Sequence, residues 1–88
     1  MIEKEITVVN KLGIHARPST MIVKKAGELS SSIKFIKDGI EADAKSIMSL
    51  MMLAAGFGSK LLLRVEGPDE ESAVSAIEEL FATKFNED

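Results

Sequence analysis

The chain contains no cysteine, no tryptophan, no tyrosine and only one histidine among its 88 residues. Without thiols there is no disulfide framework and no thiolate metal site. One imidazole cannot hold a structural zinc ion by itself, so neither a metal nor another cofactor is expected. Long apolar runs are missing too: nothing approaches the roughly 18 to 20 residues that cross a bilayer, and Met1-Ile2-Glu3-Lys4-Glu5 lacks the charged start and apolar stretch of a signal peptide. No membrane insertion is expected, and the cytoplasm is the expected compartment. Excess positive charge is also absent. The formal net charge is −3, the Lys24-Lys25 and Lys34/Lys37 pairs are sparse, and without Trp or Tyr there are few surfaces on which bases could stack, so nucleic acid is not an expected partner.

What is present suits one compact domain over residues 1–88. Apolar residues make up 45% of the chain and recur throughout, and charge is mixed in sign, which is enough burial to offset chain entropy. Ile2, Lys4, Ile6 and Val8 alternate with Glu3, Glu5, Thr7 and Val9, which reads as a strand with one buried face. Asn10-Lys11-Leu12-Gly13 ends it. From Ser19 to Ala26, Ser19, Ile22, Val23 and Ala26 share a helical face, Lys24 and Lys25 fall in the last turn, and Gly27 is the expected stop. Ile33–Lys37, Asp38-Gly39 and Ile40–Asp43 read as a two-residue hairpin. Ser46 precedes an apolar run from Ile47 to Ala55 that ends at Gly56, read as a short helix capped by Ser46. Leu61–Glu66 is a last strand ended by Gly67-Pro68. Asp69 then caps a final helix with the stripe Ala73, Val74, Ile77, Leu80, Phe81 and Phe85. The order β-α-β-β-α-β-α, with one-sided helices, predicts an α/β two-layer (α+β) open-faced sandwich built on an antiparallel sheet with one solvated face.

The chemistry concentrates at Gly13-Ile14-His15-Ala16-Arg17-Pro18, between a strand and a helix. Helix N-termini carry unpaired N–H groups and partial positive charge, so a phosphoryl group attached just before one meets donors; Ala16 supports it with an N–H, and Pro18, which has none, supports it by stiffening the helix entry through its fixed φ. Arg17 adds a guanidinium fork matched to phosphate oxygens. Neutral imidazole is a competent nucleophile near neutral pH, and Pro18 is tolerated in a first turn, where its missing N–H has no partner to lose. The rule that the residue before proline avoids the α region would start the helix at Pro18 rather than Ala16, which leaves the start open over two residues. The motif alone also fits a surface histidine beside an arginine, or a general acid/base if Glu41 or Asp69 approaches in space.

Gly13-Ile14-His15-Ala16-Arg17-Pro18, followed in register by Ala44-Lys45-Ser46-Ile47-Met48, resembles the HPr family of phosphocarriers of the bacterial sugar phosphotransferase system. The likeness runs from residue 2 to residue 85 and includes Asp38-Gly39 and Glu66-Gly67-Pro68-Asp69-Glu70. The resemblance implies a four-stranded sheet of order 1-4-2-3 with three helices on one face. It also implies phosphorylation of His15, at the ring nitrogen facing the helix start, by enzyme I with phosphoenolpyruvate as ultimate donor, and transfer onward to sugar-specific enzyme IIA proteins. Arg17 would supply charge beside the phosphate. A carrier of this kind has no turnover of its own, so it is not expected to be an enzyme.

Ser46 is read first as an N-cap, and by the resemblance also as the target of HPr kinase/phosphorylase; a transcription regulator is a further partner the family admits. Ile47, Met48, Met51 and Met52 cannot all face inward from a short surface helix. Leu50, Leu53 and Ala54 are the expected core residues, leaving Ile47, Met48 and Met51 as an adaptable docking surface, joined by Thr20, Met21 and Lys24 of the first helix. The chain departs from the family pattern at Ser49 and Ala54, where glycine is common in Gram-positive members, and at Ala55-Gly56-Phe57-Gly58. A carrier that presents one face to successive partners is expected to be a monomer. Two alternatives stay open at this level: a carrier used only for signalling through His15 and Ser46, in a host without sugar permeases of this system, and an unrelated α/β binding domain.

Overall fold

The computed structural model describes residues 1–87. Four strands, β1 (Ile2–Thr7), β2 (Ser32–Lys37), β3 (Ile40–Asp43) and β4 (Lys60–Glu66), form one antiparallel sheet in the order β1-β4-β2-β3. The three helices are α1 (Ala16–Gly27), α2 (Ile47–Met52) and α3 (Glu70–Ala82). Strand alternation sets the layers: Ile33, Phe35, Ala42, Leu61, Leu63 and Val65 are buried under the helices with Ile22, Ala26, Leu50, Ala73, Ile77 and Phe81. The opposite face is solvated. There Arg64 Nε donates to Glu3 at 2.7 Å, while Arg64 and Lys34 each lie 3.5 Å from the Glu41 carboxylate. The predicted sandwich and strand order are what the chain adopts.

The hairpin forms as expected, with Lys37 paired to Ile40 and positive φ at Asp38 (52°) and Gly39 (81°). Lys4, grouped with the buried positions of β1, is exposed on this edge strand and reaches Glu78 of α3 at 2.9 Å. One open point is resolved and three other expectations are corrected. α1 begins at Ala16, with Arg17 and Pro18 inside its first turn, because the Ser19 N–H bonds the His15 carbonyl at 3.0 Å and this closes the turn around the proline. α2 stops at Met52 rather than Ala55: Leu53 caps it and Ala54 takes a left-handed φ of 52°, which turns Ala54 outward to solvent rather than into the core. Asp69 is the N-cap residue of α3 by position only. Its carboxylate leaves its own helix and accepts from the Ser30 N–H (2.8 Å), the Ser31 N–H (2.9 Å) and the Ser31 hydroxyl, while Glu70 turns back to the Gly67 N–H at 3.2 Å. Finally, Phe85 is fully buried but lies beyond α3, in a turn at Lys84–Asn86.

Candidate functional site

The loop that carries His15 is stitched down from both sides. Gly13 closes a turn onto the Asn10 carbonyl at 3.1 Å, and the Ile14 N–H bonds the Ala55 carbonyl at 2.8 Å. Gly13 has φ +71°, and a Cβ there would stand 2.5 Å from the Ala55 carbonyl oxygen, so the close approach of the loop after α2 needs glycine on both counts. Ile14 is buried beneath the loop. His15 is thereby held as the N-cap of α1, with extended backbone (φ −93°, ψ −164°), no side-chain cap bond and a side chain 35% exposed.

The first-turn N–H groups of Ala16 and Arg17 have no acceptor within the helix, and Pro18 has no N–H to offer. An anion bonded to His15 on that side therefore meets two backbone donors and the positive end of α1. Arg17 is exposed, forms no ion pair among the described residues, and lines a groove with Lys11, Leu12, Asn86 and Glu87. Sequence reasoning placed His15, Ala16, Arg17 and Pro18 at one helix start, and they are there; Pro18 is buried.

The carboxylate at the imidazole is neither Glu41, which sits on the solvated sheet face, nor Asp69, which clamps Ser30 and Ser31. It is Glu87. His15 Nε2 lies 2.8 Å from Glu87 Oε2, and Glu87 Oε1 accepts from Asn10 Nδ2 at 3.1 Å. An ionised carboxylate only accepts, so the ring nitrogen is the donor. Lys84, Phe85 and Asn86 all have left-handed φ (54°, 54° and 59°), each costing an L-residue roughly 1–2 kcal/mol, and the buried Phe85 ring, edge-on to Phe81 at 4.9 Å, anchors the turn. Sequence reasoning missed Glu87. A separation of 72 residues from His15 leaves no local pattern that could have revealed it.

Ser46 Oγ accepts from the Ser49 N–H at 3.2 Å, as a helix cap does. Beyond it Ile47 (41%), Met48 (74%), Met51 (46%) and Met52 (72%) are exposed, and Leu50 and Leu53 are buried. Thr20 is exposed, with its hydroxyl bonded to the Ala16 carbonyl at 2.9 Å. Met21 and Lys24 line a separate hollow with Lys25, Glu28 and Leu80, between α1 and α3. No three acidic or histidine side chains converge as metal ligands among the described residues, and no helix there is long and apolar enough to cross a membrane.

Residues 2–83 match the family described as PTS HPr component phosphorylation site. The chain is similar to phosphocarrier protein HPr of Treponema pallidum, 51% identical over 88 residues and the full length of both chains. It is similar in structure to HPr-C-His from Thermoanaerobacter tengcongensis, with a TM-score of 0.95 and 42% identity over 100% of this chain and 99% of that one. It also resembles the HPr dimer from the same organism, with a TM-score of 0.79 and 42% identity over 99% and 100% of the two chains. The chain belongs to the HPr family, the phosphocarrier proteins of the phosphotransferase system.

Proposed function

We propose that His15 accepts a phosphoryl group from enzyme I, with phosphoenolpyruvate as the ultimate donor, and passes it to sugar-specific enzyme IIA proteins. The observation that carries this reading is the position of His15: a part-exposed imidazole at the N-cap of α1, with two first-turn N–H groups that have no acceptor within the helix and the Arg17 guanidinium on hand for a phosphate. The protein holds the group and turns over no substrate of its own; rate comes from positioning and from charges that the two proteins bring together. Partners dock over Ile47, Met48 and Met51, with Thr20, Met21 and Lys24 at the flank. Ser46 is a site for HPr kinase/phosphorylase, and a transcription regulator reads the modified surface. The carrier works in the cytoplasm as a monomer. The dimeric relative makes solution mass, by light scattering, the check on that last point.

Incubation with enzyme I and phosphoenolpyruvate tests the central claim. One acid-labile phosphate per chain is the expected product, and His15→Ala should take none while melting as a folded protein, because a part-exposed cap side chain carries little packing energy. Acid-labile phosphate on folded His15→Ala would place the acceptor elsewhere.

A further inference from the structure

We infer that Glu87 is a positioning residue for phosphoryl transfer: it holds the proton of His15 on Nε2, so that Nδ1 is the attacking atom, and then faces the charge that the ring gains. This rests on the phosphocarrier reading above.

Two independent features of the structure support it. The first is the contact itself: the Glu87 carboxylate, its side chain only 17% exposed, accepts from Nε2 at 2.8 Å. With Nε2–H engaged there, Nδ1 is left with the free lone pair. The second lies behind Glu87. Asn10 is 1% exposed, and its Nδ2 donates both to the Gly13 carbonyl at 2.6 Å and to Glu87 at 3.1 Å, while its Oδ1 has no partner among the described residues. The amide cannot be flipped, since its oxygen would then face two acceptors. A buried side chain thus points both its donors at the loop of His15 and at Glu87. The left-handed turn at 84–86 is what delivers the carboxylate, and backbone strain of this sort concentrates at working sites.

In the forward step the Nδ1 lone pair forms the Nδ1–P bond as the bond from phosphorus to the donor breaks, and that electron pair leaves with the donor. No proton has to move. The ring keeps its Nε2 proton and becomes cationic, and Glu87 lies against that new charge, as the first-turn N–H groups and Arg17 lie against the phosphate. Onward transfer reverses these changes, with the departing imidazole returning to the neutral Nε2–H form.

The test uses the full chain, labelled with 15N, and its Glu87→Ala and Glu87→Gln variants. Imidazole spectra recorded about two pH units above the ordinary imidazole value should show a slowly exchanging Nε2–H in the unmodified protein and in Glu87→Gln, whose amide oxygen still accepts; in Glu87→Ala that signal should broaden by exchange. At saturating phospho-enzyme I, Glu87→Ala should transfer about tenfold more slowly with unchanged half-saturation, and Glu87→Gln should fall between, keeping the hydrogen bond without the charge. Equal rates and equal spectra for Glu87→Ala and the unmodified protein would overturn the inference. So would raised half-saturation at an unchanged rate, which would make Glu87 a docking contact. Should Glu87→Ala fail to fold, the Glu87→Gln rate decides. If the unmodified protein takes no phosphate, the proposed function fails on its own, and the spectra still decide the pairing.

Discussion

Arg17 illustrates how a single side chain can matter to transfer without mattering to the fold. It is exposed and bonded to no acidic group among the described residues, yet it stands two positions from the imidazole, along the groove that also holds Glu87. A guanidinium placed in this way acts on charge that moves. Arg17→Ala should therefore leave the melting temperature within the scatter of surface substitutions and slow transfer at saturating enzyme I by roughly tenfold or more. Stopped-flow transfer rates measured over a range of enzyme I concentration check this; lost affinity with an unchanged maximal rate would assign Arg17 to docking. Ala54 shows the converse case. It holds φ +52° at the end of α2 with its side chain in solvent, where glycine carries no steric cost, so Ala54→Gly should raise stability by up to about 1 kcal/mol in urea unfolding. A lower midpoint would mean that the methyl group does more than pay for its conformation.

At the scale of the element, α2 is a six-residue helix that depends on its cap and on two buried leucines. Helices this short are not stable alone, so its stability comes from Leu50 and Leu53 and from the Ser46 hydroxyl on the Ser49 N–H. Ser46→Ala should cost about 1 kcal/mol, whereas Ser46→Asp keeps an N-cap acceptor and adds charge of the sign that a helix start favours. Folding should therefore survive both Ser46→Asp and phosphorylation. Transfer from enzyme I should slow, because the new charge lies next to exposed Ile47 and Met48, and an apolar interface leaves it without an assured counter-charge. Circular dichroism melts beside transfer rates for the three forms separate the possibilities. Equal rates would reduce Ser46 to a cap, and a collapsed melt would put the effect in the fold.

Across the whole molecule, Asp69 ties the loop between α1 and β2 to the start of α3. Its carboxyl is held below its ordinary 3.8, first by the Ser31 hydroxyl and then by the Ser30 N–H, with the Ser31 N–H adding to them. A depressed carboxylate contributes stability that is fully present above the unfolded value and is lost as pH falls through the folded value. The gap in melting temperature between the unmodified protein and Asp69→Ala should therefore be flat from neutrality down to about pH 5, and should narrow once pH drops below 3.8. Melts recorded in steps from pH 7 to about pH 2 provide the comparison. A gap that persists unchanged at the acid end would show that the clamp works without its charge.

What the chain determined by itself is what physics within four or so residues can decide. The period of two in β2 and β4, the Asp38-Gly39 turn, the Ser46 cap and the placing of His15 beside a helix start all follow from dihedral preference, side-chain spacing and orphaned N–H groups near in sequence. The tertiary structure decided wherever a local preference met a distant competitor. Asp69 had its own helix N–H groups within reach but bonded Ser30 and Ser31, 39 and 38 residues away, because the closed sandwich presents three donors there together. α1 begins ahead of its proline, and α2 stops at a non-glycine left-handed residue, because the closed loop between Gly13 and Ala55 and the burial of Leu53 outweigh the local cost. The His15–Glu87 pair belongs to the same class: a carboxylate 72 residues off can be brought to 2.8 Å only after the sheet has formed and Phe85 has been buried, and no spacing rule along the chain encodes that event.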